Sequence, residues 1–384
     1  MKKALWFLIL AAALLFLKVP AAAEEIDKDR DFSSYYEEQA RASGAEELPE
    51  KLPPETREIL DGLGVEGEDT EDILSVTPKG YFEKIVSIFT GKADGPLRAF
   101  ASVAAVILLC ALMDGMKLSF GEKPMGGVID MTGTLCVCAL VVTPLVSCIA
   151  DAAEMLKAAS GFLLACVPVL VAVMAAAGQS ASAGAYHLLM VAAGNAVSAF
   201  SSGFLAPVMN IFLALSIVSS VSPGVNLSGL CGVFNKAIKW VMGLGMTLFT
   251  GLVTLHSLVA ASADSLGTRA AKFVMSSSVP VVGNALGDAF NTVIGCVKTL
   301  KSGVGAFGLL AGIFIFLPVI AECLLWILTL SACAGLSRIF EMQAITSLLK
   351  ASSDVISTML AVLLCSMMVL VITTVVMMII GGVS

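Results

Sequence analysis

The chain has 384 residues, 58% of them hydrophobic and 14% charged, with a mean hydropathy of +0.93. A soluble domain is nearer half apolar and a quarter charged, so this composition marks an integral membrane protein. The net charge of −7 is concentrated: Glu24 to Asp94 holds 20 acidic and 8 basic residues, whereas Pro96 onward holds 12 basic and 10 acidic. Neither part offers the basic patch that nucleic-acid binding needs.

Met1-Lys2-Lys3 is a basic start, Ala4 to Leu17 an apolar core, and Ala21-Ala22-Ala23 a small-residue site before Glu24. That is the plan of a secretory signal peptide over 1–23, with Ala21 and Ala23 flanking the cleavage position. It delivers Glu24 onward outside the cytoplasm. Residues 24–95 then form a short acidic extracytoplasmic region. Ser34 and Glu37 have capping-box spacing for a helix through Arg41. Pro54 opens a short helix to Leu60. Gly62, Gly64 and Gly67 read as loop. Pro78 opens another helix, with Phe82, Ile85 and Phe89 on one face. So charged a segment reads either as a solvated, partly disordered arm or as a docking arm for another envelope protein.

Residues 96–384 form a multipass membrane domain. A span needs about 20 mostly apolar residues. The candidates are Leu97 to Met113, Val128 to Ala150, Gly161 to Ala177, Ala185 to Phe200, Phe204 to Val221, Trp240 to Ala261, Val304 to Leu336 and Thr358 to Val383. Val304 to Leu336 is too long for one upright helix, and Pro318 and Glu322 predict a break there. The fold class is therefore an all-α polytopic membrane protein with about seven or eight spans and interspersed amphipathic helices. Three spans are preceded by an amphipathic segment: Pro223 to Lys239, Pro280 to Lys301 and Arg338 to Ser357. Positive-inside bias puts Lys117 and Lys123 in the cytoplasm. Lys298 and Lys301 break that count, which predicts snorkelling from an interfacial helix or a re-entrant segment.

The chemistry-bearing residues are few. His187 and His256 have no nearby acidic partner, and no catalytic or phosphate-binding motif occurs. Cys136 and Cys138 are two apart and face different ways on a helix, a poor metal pair. The reading is of a non-enzyme without cofactor or metal. Two features stand out instead. From Pro280, Val282, Leu286, Ala289, Val293, Cys296 and Leu300 form an apolar stripe. Asn284, Asp288, Asn291 and Lys298 form a polar stripe about half a turn away. Such a helix lies at the bilayer interface or lines a water-filled path. Glu322 is the candidate intramembrane acid, since a carboxylate in lipid is costly and functional by default. Gly243, Thr247 and Gly251 form a small-residue row that favours a close helix contact.

The region from Ala263 to Leu310 also carries a likeness. Ala263-Asp264, Arg269, Ala271-Lys272-Phe273, Val279-Pro280-Val281-Val282-Gly283, Asp288-Ala289, Thr292-Val293 and Gly305 resemble the stage III sporulation protein AE family of endospore-forming bacteria. The layout of signal peptide, arm and multipass region agrees; Glu322 departs, since the family leads to no expectation of an acid in that run. The resemblance implies a role in sporulation, in the mother-cell membrane around the engulfed forespore. It implies as partners the lipid bilayer, other stage III sporulation A-operon proteins and a forespore-membrane protein, with homo-oligomers open. Together they would form a secretion-like channel for late forespore gene expression, this chain serving as conduit component or export-gate-like platform. It offers no catalytic residues. The competing readings are a stand-alone secondary transporter or export permease using Glu322, and a passive membrane scaffold with a recruiting arm.

Overall fold

A computed structural model describes residues 29–65, 67, 73, 77–120, 126–200, 203, 205–221, 228–278 and 283–379. The signal segment, with Ala21 and Ala23, lies outside them. Within the helices, side chains 265–294 also lie outside, and with them Asn284, Asp288 and Asn291.

Among the described residues the structure is helical. The arm contributes α1 (Asp29–Ser43), a 3-10 turn (Ala45–Lys51), α2 (Pro54–Asp61) and α3 (Pro78–Gly91). The bundle contributes α4 (Asp94–Phe120), α5 (Gly126–Ala176), α6 (Ser180–Phe200), α7 (Ala206–Val221), α8 (Ser228–Ser278), α9 (Gly283–Ile339) and α10 (Gln343–Ile379). Six of these helices are long and apolar enough to cross a membrane, and α7 is a shorter apolar helix.

Local chemistry sets the arm. Pro54 sits at the start of α2, where its missing N–H costs nothing. The Thr77 hydroxyl accepts from Gly80 N–H and caps α3. Ser34 and Glu37 are no capping box, because α1 is already running from Asp29. The arm is not a free tail. Ala40, Ala45, Leu48, Leu52, Ile59, Leu60 and Val65 are buried in the same core as the bundle. Phe82 stays exposed. Tyr81 carries the contact instead, its ring stacked on Phe314 of α9 at 6.3 Å between centroids. Burial pushes the Tyr81 phenol above its usual range.

The bundle is built on α5, α9 and α10. The expected spans Val128 to Ala150 and Gly161 to Ala177 are two halves of α5, a single helix of 51 residues. At ~1.5 Å per residue that is about 75 Å, against roughly 30 Å of hydrocarbon in a bilayer. Pro144 and Pro168 are carried inside it. The expected break in the long seventh run is also absent: α9 runs 57 residues through Pro318 and Glu322. A proline in an apolar bundle is tolerated when neighbouring helices shield the freed carbonyl. Where they are described, the first two amphipathic segments run on without interruption into the apolar stretches of α8 and α9, whereas the third begins in the last turn of α9 and crosses the turn at Glu341 before α10 starts at Gln343.

Antiparallel neighbours fix the heights. Gly133 of α5 packs on Cys110 of α4 and near Ile345 of α10. Higher up, the Cys148 and Cys323 sulfurs of α5 and α9 are 3.8 Å apart. Ser160 Oγ donates to the Gly194 carbonyl of α6 at 2.6 Å. Gly312 of α9 lies directly against Leu370 of α10. A Cβ at either Gly194 or Gly312 would collide with the facing leucine, Leu164 or Leu370, so that a larger residue there forces the leucine to move.

Candidate functional site

Charges divide the bundle into two storeys. On α5, residues 131–150 and 158–176 carry no charge, and Asp151, Glu154 and Lys157 lie between them. All three are exposed, while Ala152 and Leu156 on the opposite side are buried. On α9, residues 302–321 are uncharged above and 323–337 below Glu322. Glu322 is half-buried. Lys92, Asp151 and Glu55 are the charged groups acting on it, and the Trp326 indole one turn along hydrogen-bonds its carboxylate. Lys92 itself pairs with Glu55 at 3.1 Å. Lower on α10, level with about residues 328–332 of α9, Lys239 of α8 and Lys350 act on Asp354. The Thr358 hydroxyl donates to Asn235 Oδ1 of α8 at 3.1 Å. Glu322 is thus one member of a charged belt shared with the arm, not an isolated acid.

The lower storey holds α4 with the lower parts of α5, α9 and α10. The upper storey holds α6, α8 and the upper parts of α5, α9 and α10. At its far end sits a second polar cluster. The chain turns from α5 into α6 at Gly178, whose φ of 75° suits glycine. The Asp264 carboxylate of α8 accepts from Ala181 N–H at 2.9 Å and Ser182 N–H at 2.8 Å, satisfying free donors at the start of α6. Beside it, Lys301 Nζ of α9 donates to Gln179 Oε1 at 3.1 Å. Lys301 is 3% exposed, and Asp264 is the acid whose field reaches it. This knot ties the turn between α5 and α6, and the start of α6, to positions inside α8 and α9.

Sequence reasoning reached this cluster only in part. Lys301 was expected to snorkel with Lys298; Lys298 is exposed, but Lys301 is buried and paired. Lys298 shares α9 with Asn284, Asp288 and Asn291, whose side chains are not described. Asp264 and Gln179 were not singled out as site residues, although Asp264 is among the letters that carry the family likeness. The missed signal was electrostatic: an acid and a lysine, each at the edge of an apolar run, need one another. Among the described residues no three His, Cys, Asp or Glu side chains converge as a metal cage would.

Comparison with known proteins bears on this architecture. The family model described as stage III sporulation protein AE matches residues 67–381, the end of the arm and almost the whole bundle. The chain belongs to the stage III sporulation protein AE family. A curated relative, stage III sporulation protein AE of Bacillus subtilis (strain 168), is 23% identical over 319 residues, covering 80% of each chain. No solved structure matches the chain. Family membership makes this a sporulation protein, and its helices make it a membrane protein. The match takes in the belt residues Lys92, Asp151 and Glu322 and the knot residues Gln179, Asp264 and Lys301.

Proposed function

We propose that this chain is the multipass membrane subunit of a secretion-like complex linking mother cell and forespore, and that it serves as an export-gate-like platform rather than as an enzyme or solute pump. Family membership supports the sporulation setting. One structural observation supports the platform role: α5 and α9 are more than twice as long as a bilayer is thick, and a charged arm lies along their upper halves. The bilayer takes the lower storey, where α4 offers Leu97, Leu108, Leu109 and Leu112 to lipid and the exposed Lys350 and Asp354 of α10 are neutralised by one another and by Lys239. The upper storey stands outside, on the side of the arm.

The physical reason is the arm's charge. Lys79 and Glu83 flank Tyr81 at the height of Phe314 and are largely exposed. Arg41 and Glu46 flank Gly44, which faces Val169 still higher. Charges at the centre of a bilayer cost roughly 2.5 kcal/mol or more each. The same four in water cost nothing. On this reading Glu322, Asp151 and the Lys92–Glu55 pair mark the outer membrane surface, and the arm faces the extracytoplasmic space between the two cells.

Purification of the tagged chain from sporulating cells tests the proposal. The expected result is co-purification with the other stage III sporulation A-operon proteins, and no solute flux in liposomes from the chain alone. Flux from the pure chain that Glu322→Gln abolishes would replace this reading with a transporter.

A further inference from the structure

Two of the amphipathic segments in the sequence come together polar side to polar side. At the start of α10, Met342, Ile345, Leu349 and Ile356 are buried, none more than 3% exposed. Gln343, Ser347, Lys350 and Asp354 recur at steps of four, three and four, and all four are exposed. At 100° per residue they fall within one narrow arc. α8 borders this stripe on one edge: Thr358 donates to Asn235 Oδ1 at 3.1 Å, and Lys239 acts on Asp354. α9 closes the other edge, where the Ser337 and Thr346 hydroxyls share a hydrogen bond at 2.7 Å.

The stripe lies in the storey assigned to the bilayer. Gly133 of α5 faces both Cys110 of α4 and Ile345 of α10, so Ser347 and the lipid-facing Leu109 stand at about one level. From Gln343 to Thr358 the helix rises about 22 Å at ~1.5 Å per residue, most of the roughly 30 Å of hydrocarbon. Lipid is a poor cover for a polar track of that length. Lys350 and Asp354 temper each other's charge, but with Lys239 two lysines answer one carboxylate. The exposed Gln343 amide also needs hydrogen-bond partners, which hydrocarbon does not supply.

The charges call for water rather than a dry protein surface. Lys350 and Asp354 are one turn apart, the spacing at which Lys79 and Glu83 of α3 close to 3.6 Å. Here no ion pair closes, either between these two or between Lys239 and Asp354, although each lysine acts on the carboxylate. Under a dry partner surface such charges lose their hydration without gaining a contact, the costly arrangement. In water each keeps its shell. Two ammonium groups stand beside one carboxylate, so the lining is net positive and favours small anions over cations.

We infer that Asn235 and Lys239 of α8, with Gln343, Ser347, Lys350 and Asp354 of α10, form one wall of a water-filled passage through the lower storey that admits small anions. This rests on the proposed placement of the bilayer at the lower storey. It deepens that reading by setting an aqueous path against α8 and α10 while α4 keeps its leucines in lipid.

Thiol labelling of the full-length chain in membranes of sporulating cells tests this. Ser347→Cys puts a probe in the wall at little cost, because the Ser347 hydroxyl bonds only the Ala344 carbonyl of its own helix. Leu109→Cys puts one at the same level on α4. A charged, membrane-impermeant methanethiosulfonate attacks the thiolate, which hydrocarbon suppresses, so the Ser347 position should react at least about tenfold faster. Mass mapping of the labelled peptide keeps the native cysteines out of the count. An unreactive Ser347 position would mean a dry face and overturn the inference; if Leu109 is unreactive too, the bilayer level stands. Equal, rapid reaction at both would put the whole storey in water, ending the proposed bilayer level and this inference with it. Charge is read separately, with each reagent's rate normalised to its rate with a free thiol. An anionic methanethiosulfonate should outpace a cationic one at Ser347→Cys, and adding Lys350→Gln should lower that ratio several-fold. A ratio that Lys350→Gln leaves unchanged would take Lys350 out of the wall and overturn the assignment.

Discussion

At the scale of single residues, the knot at the top of the bundle concentrates the electrostatic stakes. Asp264 satisfies two helix-start N–H groups and faces the buried Lys301. Asp264→Ala removes all of this at once. A lost cap costs about 1 kcal/mol, and the buried Lys301 also loses the field of its nearest acid, so a loss of at least about 1 kcal/mol is expected. Thermal unfolding in mild detergent should show the drop, and Lys301→Met in the same background should recover part of it. An unchanged midpoint for Asp264→Ala would remove the knot from the account. A second residue-scale test uses the Cys148 and Cys323 sulfurs, 3.8 Å apart on α5 and α9. Iodine oxidation should join them, with two iodides and two protons released, and peptide mapping should find the Cys148–Cys323 linkage. A linkage from either one to Cys110 or Cys166 instead would contradict the packing. Neither feature was legible beforehand. Both depend on pairs more than 80 residues apart in the chain, and spacing arguments see only one helix at a time.

Elements tell a different story, because their identities were written in local pattern. Pro54 and Pro78 announced α2 and α3, and apolar length announced the bundle helices. What failed was continuity. Asp151, Glu154 and Lys157 fall between the expected spans Val128 to Ala150 and Gly161 to Ala177, where three charges interrupt apolar runs. Their spacing of three keeps them on one side of a helix, so α5 continues beneath them with Leu156 still buried. Pro318 failed as a break for a related reason: neighbouring helices let a helix continue past a missing N–H. The close approach of α9 and α10 gives an element-scale prediction. Gly312→Ala drives a methyl into Leu370, and overpacking of this kind costs about 1–3 kcal/mol. Leu370→Ala in the same chain should then be less harmful than Leu370→Ala alone, by the logic of a double-mutant cycle. Additive losses would argue that the two residues do not meet. The arm offers another. Tyr81→Ala removes a ring stack worth about 0.5–1.5 kcal/mol. Protease added to membranes should cut the arm several-fold faster while the bundle's unfolding midpoint stays put. Equal cutting rates would detach the arm from α9.

At the scale of the whole molecule, the proposed placement of the bilayer orders these pieces vertically: lipid-facing storey, charged belt, upper storey, knot. Composition alone placed the chain in a membrane, and the letters around Val279 to Gly283 placed it in its family. Neither carried the height of the bilayer, because hydropathy rates the upper storey as apolar as the lower. The distinction lies in where a charged arm, distant in sequence, comes to rest beside Phe314 and Val169. Spin labels on Leu109→Cys of α4 and Leu188→Cys of α6 test it, both side chains being more than half exposed. In reconstituted bilayers the Leu109 label should show the high oxygen and low nickel-chelate accessibility of hydrocarbon. The Leu188 label should lack that signature, whether it meets water or protein. Two labels of equal, lipid-type accessibility would place both storeys in the membrane and contradict the account.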